Sequence, residues 1–257
     1  AHPLDRLRID ENGTTTGIVK VTDELVEQGV LGVTEPLHHV RGPIDVALAG
    51  TPQSVQYVRK KLNDIELEDD ELEAIVKDIH ENRLSDIELS AYVSAVYANG
   101  LSLQETKHLT RAMTDIGRQL SWDAPVVADK HSIGGVAGNC VTPIIVSIVA
   151  AAGLTMPKTS SRAVTSPAGT ADVVEVFCDV EFSMAEIESI VAEANGCLVW
   201  GGGVDLSPVD DAIIRAENPL SIDPPGQLMA SVLSKKRSAG STHVVIDIPY
   251  GHRKNTR

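Results

Sequence analysis

The stretch Pro125-Val-Val-Ala-Asp-Lys-His-Ser-Ile-Gly-Gly-Val-Ala-Gly-Asn139 joins a short apolar run to a turn with three glycines within five positions. The apolar run predicts a buried β-strand, and the apolar residues from Val141 to Leu154 predict a helix after the turn. Glycines let a backbone bring its N–H groups close to a ligand, and the positive end of the following helix points at the same place. The arrangement predicts a phosphate-binding loop, to which Lys130 adds a charge and Ser132 a hydroxyl.

The glycine spacing of this turn fits neither the phosphate loop of nucleotide kinases nor the dinucleotide-binding fingerprint. A glycine-rich turn that binds no ligand is therefore an alternative, and the two interpretations stand about equal on these residues alone. His131 could act as a general base, since imidazole titrates near neutrality. A histidine that anchors the loop is the interpretation we favour.

A second polar stretch, Lys158-Thr-Ser-Ser-Arg-Ala-Val-Thr-Ser-Pro-Ala-Gly-Thr-Ala-Asp172, contains six hydroxyls, one guanidinium and a glycine. A dense set of small donors suits an anionic, hydroxyl-rich ligand such as a sugar phosphate, because each buried oxygen needs a partner. The alternative is a solvated loop rich in serine and threonine. We favour binding, because apolar segments on both sides fix the loop at the predicted sheet.

Asp223 follows an isoleucine and precedes two prolines that fix its backbone, which suits a preorganised acid. The other acids between residues 201 and 226 are interpreted mostly as turn formers and helix caps. Lys235 and Lys236 either end a helix in solvent or face a ligand.

Strands and helices alternate around these motifs. Cys197-Leu-Val-Trp and His243-Val-Val-Ile-Asp-Ile predict strands, and Ser183 with Glu186 predicts a capped helix before the first of them. The alternation from residue 121 onward favours a largely parallel sheet.

The first half of the chain follows two other patterns. Residues 1 to about 50 mix glycines with short alternating runs, which predicts a small β-rich module. Residues 51 to 120 show helical periodicity and predict about four helices. We expect Thr51 to cap the first helix, with Pro52 at its first helical position. Capping boxes are predicted at Ser85 with Glu88 and at Ser102 with Glu105.

The chain has 257 residues and a formal net charge of −14, from 36 acidic and 22 basic residues. Such a surface repels nucleic-acid backbones, so no nucleic-acid partner is expected. The acidic excess also suits a halophilic cytoplasm, where salt screens self-repulsion, and we treat this as a hypothesis.

Cys140, Cys178 and Cys197 share no metal-ligand spacing and lie in apolar runs, so buried reduced thiols and no metal are expected. No signal peptide is recognised, and the longest apolar stretch is too short to span a bilayer. We therefore expect a cytoplasmic protein with no membrane partner.

Three motifs, in this order, resemble the thymidine phosphorylase superfamily: Lys130-His-Ser-Ile-Gly-Gly135, Ser160-Ser-Arg-Ala-Val-Thr-Ser-Pro-Ala-Gly-Thr-Ala-Asp172 and Ala230-Ser-Val-Leu-Ser-Lys-Lys236. The second motif, with Leu198-Val-Trp-Gly-Gly-Gly203 and Ser221-Ile-Asp-Pro224, is similar to the archaeal AMP phosphorylase branch rather than to the pyrimidine-nucleoside branch. The likeness runs from about Thr51 to Gly251.

The resemblance implies phosphorolysis of a nucleoside 5′-monophosphate, in which inorganic phosphate attacks the anomeric carbon of AMP and releases adenine and ribose 1,5-bisphosphate. CMP and UMP are further candidate substrates. Asp223 is implied as the proton donor to the leaving base, and no cofactor is implied. The AMP-binding residues implied by position are Gly135, Ser161, Arg162, Ala163, Val164, Thr165, Ser166, Thr170 and Ser231.

The fold implied is α/β with a helical domain: a small β-rich N-terminal module, a discontinuous α-helical domain and a mostly parallel α/β domain. The expected bounds are residues 1–50 for the module, 51–120 with 206–238 for the helical domain, and 121–205 with 239–257 for the α/β domain. A homo-oligomer is expected, with a cleft whose closure brings Asp223 and Ser231 to the two loops.

The last residues depart from the family pattern. His252-Arg-Lys-Asn-Thr-Arg257 fits no family motif, and a nucleotide-binding lysine falls on Asn255, with Lys254 one place away. We assign no such lysine, and we expect a chain truncated at its C-terminus, with an incomplete α/β domain. The alternatives are a pyrimidine-nucleoside (thymidine) phosphorylase, a phosphoribosyltransferase of the same fold, and an inactive nucleotide-binding fragment.

Overall fold

A small antiparallel sheet opens the chain. The computed structural model describes residues 3, 5–9, 16–22, 24–27, 29–33, 43, 45–132, 141–160, 162 and 169–248. The sheet consists of β1 (Arg6–Arg8), β2 (Thr16–Ile18) and β3 (Ala47–Ala49), in the order β2-β1-β3. Arg6 donates to the carbonyl oxygen of Arg83 at 2.8 Å and forms an ion pair with Glu88. The β-rich module therefore contacts the helices that follow it.

These helices are α1 (Ser54–Leu62), α2 (Asp69–His80), α3 (Asp86–Asn99) and α4 (Leu103–Asp115). The predicted capping boxes of α3 and α4 are confirmed: Ser85 Oγ accepts from the N–H of Glu88, and Ser102 Oγ accepts from the N–H of Glu105. The start predicted for α1 is wrong. Residues 52 to 55 form a turn in which the Val55 N–H donates to the Pro52 carbonyl at 3.2 Å, so this backbone donor needs no Thr51 side chain and α1 begins at Ser54.

The core of the helical domain is one apolar cluster. Leu72, Ile75 and Met113 are fully buried in it. Two helices from much later in the chain join the same cluster, namely α8 (Pro208–Glu217) through Val209 and Ile213, and α9 (Pro225–Ser238) through Ala230. The helical domain is therefore built from two separate parts of the chain, as the predicted fold class requires. The residue bounds proposed for the three domains remain a prediction.

The α/β part contains β4 (Ala128–Ser132), α5 (Thr142–Ala151), β5 (Met156–Ser160), α6 (Thr170–Glu175), α7 (Met184–Ala194), β6 (Gly196–Trp200) and β7 (His243–Asp247). Strands β4 and β7 pair in parallel, and so do β5 and β6. Within the described residues, a single parallel bridge between Val127 and Thr155 joins the two pairs. The prediction of a largely parallel sheet is confirmed.

The first residues of both predicted binding loops belong to β-strands. The strand predicted at Pro125-Val-Val-Ala starts at Ala128 instead, so Lys130 and Ser132 lie in β4 rather than in a turn. Likewise Lys158 to Ser160 belong to β5. Charged residues occupy these strands because they neutralise one another across the sheet, a pairing that an apolar pattern along the chain does not reveal.

The cysteine prediction holds only in part. Cys197 in β6 is buried, whereas Cys178 is exposed, in a surface turn where the adjacent Val176 and Phe177 are exposed as well. Cys140 lies outside the described residues. No helix in the described part of the chain is long and apolar enough to cross a membrane.

Candidate functional site

Asp129 is the centre of a buried ionic cluster that joins three elements. Its fully buried carboxylate lies 2.9 Å from the Nζ of Lys236 on α9 and 3.5 Å from the Nζ of Lys158 on β5. It also accepts hydrogen bonds from the Ser241 hydroxyl at 3.3 Å and from the Lys130 backbone N–H at 2.7 Å. One side chain of β4 thus holds the helical domain's last helix and the neighbouring strand pair together.

A second ion pair crosses from β4 to β7. The Nζ of Lys130 lies 2.9 Å from an oxygen of Asp247, and Lys130 is 6% exposed. Lys130, Lys158 and Lys236 are therefore three buried ammonium groups set against two carboxylates. Because a buried charge is costly unless it is paired, either a bound anion or the loss of a proton from one lysine relieves this excess of positive charge.

Burial and the positive charges of the cluster lower the pKa values of Lys158 and His131. Burial, and then the charge of Lys236, lower the pKa of Lys158. Burial, followed by the charges of Lys236 and Lys158, lowers the pKa of His131 to about 4. His131 is therefore neutral at pH 7 and is a weak base, so the general-base interpretation loses support.

Some of the residues expected at the site lie in the described part of the chain, and the others lie outside it. Lys130 and Ser132 lie in β4, Thr170 begins α6, Ser231 is buried in α9, and Asp223 lies just before α9. The structure brings Lys130 to the ionic cluster, and it places Ser231 four residues before Lys235 on one helix, so that both lie on the same face. The expected residues outside the described part of the chain are Gly135, Ser161, Ala163, Val164, Thr165 and Ser166.

Arg162 is described, and its guanidinium is already occupied. It donates to Glu175 at 2.7 Å and to Glu181 at 2.8 Å, and it lies 4.7 Å from the centroid of the Trp200 ring. Hydrogen bonds to Glu175 and Glu181 raise the pKa of the guanidinium further. These contacts favour a role in holding the second polar stretch against α6 and β6, rather than a direct charge contact with a ligand.

Another polar group lies between α8 and α9. The Nζ of Lys235 is 2.7 Å from the carboxylate of Asp210, whose other oxygen is buried with no hydrogen-bond partner among the described residues. Glu217, the last residue of α8, likewise has one buried carboxylate oxygen without such a partner. Burial, and then the charges of Asp223 and Asp210, raise the pKa of Glu217 to about 7.

The sequence did not identify Asp129, Asp210 or Glu217 as members of a site. A charged pair, Asp129-Lys130, directly after an apolar run was the one available sign that a strand continues with internal ion pairs. Within the described part of the chain, no group of three or more His, Cys, Asp or Glu side chains could hold a metal ion.

Comparison with family models gives two matches. Residues 55–117 match the helical bundle domain of a glycosyl transferase family, and residues 124–215 match the α/β domain of a glycosyl transferase family. The fold is also similar to the crystal structure of anthranilate phosphoribosyltransferase (TrpD) from Thermus thermophilus, with a TM-score of 0.64 and 21% identity, over 74% of this chain and 57% of that one. This likeness concerns the fold alone.

Three curated relatives extend the comparison. A protein named AMP phosphorylase from Natronomonas pharaonis is 67% identical over 253 residues, and one of the same name from Thermococcus kodakarensis is 48% identical over 255 residues; each alignment covers 97% of this chain and 51% of the relative. A protein named "Putative thymidine phosphorylase" from Parvibaculum lavamentivorans is 50% identical over 205 residues, which cover 80% of this chain and 41% of the relative. The chain spans about half the length of the curated relatives it matches.

Proposed function

Since this chain belongs to the glycosyl transferase family whose helical bundle domain and α/β domain it carries, we propose that it serves the phosphorolysis of a nucleoside 5′-monophosphate, AMP in the first place. Inorganic phosphate attacks the anomeric carbon, and the products are adenine and ribose 1,5-bisphosphate. CMP and UMP are further candidate substrates. The proposal includes a cytoplasmic location and a homo-oligomer.

The observation that carries the proposal is the extent of the likeness to the relatives named AMP phosphorylase. It takes in nearly the whole chain, including most of the β-rich module, and reaches two thirds identity in one case. The likeness to the relative named for thymidine covers a smaller part of the chain. It keeps a pyrimidine-nucleoside phosphorylase as the second candidate, which differs by not requiring a 5′-phosphate.

The ionic cluster supports the phosphate-binding part of the proposal. Lys130 lies in the middle of β4 and Ser132 at its end, just before the glycine-rich stretch, and three buried lysines lie there against two carboxylates. Two phosphoryl groups must approach each other in this reaction, and a preorganised positive site offsets their repulsion. Residues 133–138, the glycine-rich stretch itself, lie outside the described residues.

Asp223 supplies the proton in the proposed reaction. As the phosphate oxygen forms its bond to the anomeric carbon, the bond from that carbon to the base nitrogen breaks, and its electron pair stays with the base. A protonated base leaves more readily, and the Asp223 carboxyl provides this proton to a base nitrogen. Asp223 precedes Pro224 and Pro225, which start α9 and limit the movement of its backbone.

A single assay tests the proposal. The 257-residue chain is incubated with AMP, adenosine or thymidine, with and without phosphate, and release of the free base is measured. We expect phosphate-dependent adenine release from AMP alone, and a loss of at least about a hundredfold in Asp223→Asn. Asp179→Asn, at an exposed position before α7, is the matched control and should keep full activity.

The other outcomes separate the alternatives. Phosphate-dependent release of thymine without a 5′-phosphate requirement would replace the proposal by the pyrimidine-nucleoside activity. Binding of AMP without release of any base would leave a nucleotide-binding fragment without chemistry.

A further inference from the structure

Trp200, the last residue of β6, lies beside the point where the second polar stretch leaves the sheet. In the parallel pairing of β5 with β6, its register partner is Ser160, the last residue of β5. Arg162 follows two residues later, and its guanidinium carbon lies over the Trp200 ring, 4.7 Å from the ring centroid. A guanidinium at this distance is attracted by the face of an indole, so the ring supports the Arg162 side chain.

The same guanidinium also binds the helix that follows the polar stretch. Both oxygens of the Glu175 carboxylate accept from its two terminal nitrogens, and such a bidentate pair fixes direction as well as distance. The carboxylate of Asp172 lies 3.6 Å from the guanidinium and accepts from the Gly169 N–H at 2.8 Å. Glu175 and Asp172 belong to α6, whose first residue is Thr170. Arg162 therefore connects the end of the β5–β6 strand pair to the start of α6.

The glycines after Trp200 leave room for its ring. A Cβ atom at Gly202 would lie 2.7 Å from Cζ2 of the indole, closer than real Cβ atoms approach their neighbours, and one at Gly203 would lie 3.4 Å from Cε3. Both residues belong to the 3₁₀ turn Gly201–Val204, so a bulkier turn would displace the ring. The Trp200 N–H also donates to the Val180 carbonyl at 2.8 Å. The backbone on both sides of the indole thus fixes where its ring lies.

We propose that Trp200 is a positioning residue for AMP: its ring holds Arg162, and Arg162 holds α6 so that Thr170 lies in place for the nucleotide. The inference rests on the proposed function, in which Arg162 and Thr170 belong to the AMP-binding residues. Trp200 acts through Arg162 and does not touch the substrate. Inorganic phosphate is expected at Lys130 on β4, and β5 lies between that strand and β6. A change at Trp200 should therefore weaken the binding of AMP and spare that of phosphate.

The contact between ring and guanidinium is tested without substrate. The side-chain Nε–H signal of Arg162 is followed by ¹H–¹⁵N NMR in the unmodified chain and in Trp200→Leu, which keeps an apolar side chain but has no aromatic ring. The ring current of an indole shifts protons above its face upfield, so we expect the signal to move downfield in the variant. The matched control is Trp122→Leu, at the chain's other tryptophan, and it should leave the signal in place. A signal that Trp200→Leu does not move would overturn the contact.

Positioning of AMP is tested by measuring KM separately for the two substrates. Trp200→Leu should raise KM for AMP, and the dissociation constant of AMP measured by calorimetry, by about tenfold, while KM for phosphate changes by less than about twofold. Trp200→Phe retains a ring face and should bring both AMP values back to within about threefold of the unmodified chain.

Trp122→Leu is the control for a purely structural effect. The Trp122 indole N–H donates to the Ala239 carbonyl at 2.8 Å, so its loss should lower the melting temperature. Both KM values should stay as they are in the unmodified chain. A Trp200→Leu protein that behaves in the same way, with a lower melting temperature and unchanged KM values, would show that the ring only packs the fold.

The outcomes distinguish this inference from the proposed function. If adenine is released and Trp200→Leu changes the two KM values alike or not at all, the inference fails while the function stands. If the unmodified chain binds AMP but releases no adenine, the proposed function fails, and the calorimetric comparison still decides the inference. If the unmodified chain does not bind AMP, both fail.

Discussion

The ammonium group of Lys236, on the last helix of the helical domain, lies 2.9 Å from the fully buried carboxylate of Asp129 in β4. The contact joins residues that belong to the two sides of the proposed cleft. Because Asp129 also faces Lys158 on β5 at 3.5 Å, one carboxylate compensates two ammonium groups.

We therefore expect Asp129→Asn to destabilise the protein by about 3–5 kcal/mol, since it leaves two buried ammonium groups facing a neutral amide. The measurement is urea unfolding followed by circular dichroism. Lys77→Met, an exposed lysine of α2, is the control and should change the free energy of unfolding by less than about 0.5 kcal/mol. A double variant, Asp129→Asn with Lys158→Met, should lose less than the sum of the two single losses, and strict additivity would contradict the shared pairing.

The pH dependence of stability should report Lys158. Burial and Lys236 place its pKa in the folded protein below the unfolded value of 10.5, so the unfolded chain binds more protons between the two values. The contribution of Lys158 to the free energy of unfolding is therefore fully present above pH 10.5, its pKa in the unfolded chain. It is lost as the pH falls through the lower pKa that Lys158 has in the folded protein. Melting temperatures of the unmodified chain minus those of Lys158→Met should rise across this interval, and a flat difference would mean that Lys158 titrates normally.

Arg162 should matter for substrate use more than for stability. Its side chain is partly exposed and faces Glu175 and Glu181, so its ion pairs are screened by solvent. Arg162→Ala should leave the melting temperature nearly unchanged and reduce kcat/KM for AMP by one to two orders of magnitude, roughly, through misplacement of the loop. Arg59→Ala on α1 serves as the control, and a fall in melting temperature without a change in kcat/KM would contradict this assignment.

The helical domain contains its own buried ion pair. Lys61 and Glu105 approach to 2.8 Å, both are nearly inaccessible to solvent, and Glu105 also accepts from the backbone N–H of Leu67 at 3.0 Å. Glu105→Gln should cost about 3–5 kcal/mol in the free energy of unfolding, because Lys61 loses its counter-charge. The combined change Lys61→Met with Glu105→Leu should cost less than Glu105→Gln alone, and a larger cost would show that the backbone contact dominates.

The net charge of −14 gives a prediction about salt. Self-repulsion of the acidic surface weakens as salt screens it, so the melting temperature should rise steadily from 0.1 M to molar salt, over which the screening length falls from about 10 to about 3 Å. Thermal melts across a potassium chloride series measure this directly. A melting temperature indifferent to salt would remove the halophilic hypothesis.

The sequence predicted features that depend on nearby residues. The capping boxes of Ser85 and Ser102 need only a partner three positions away, and both are present. The Asp129–Lys236 contact joins residues far apart in the chain, and it exists only because α9 packs beside β4, which no local pattern encodes. For the same reason the sequence named Asp223 but not Glu217, whose titration depends on burial and on charges from two helices and a turn.

The bridge between Val127 and Thr155 has a mechanical consequence. A parallel sheet resists shear through a continuous ladder of backbone hydrogen bonds, and among the described residues β4 and β5 share only the first rung of such a ladder. Beyond that rung, attraction between Asp129 and Lys158 spans the gap. An anion that binds Lys158 would compete with Asp129 for its ammonium group. Binding would therefore weaken the ion pair that joins β4 to β5. Among the described residues, the junction between the two strand pairs thus consists of one backbone bridge and one side-chain ion pair.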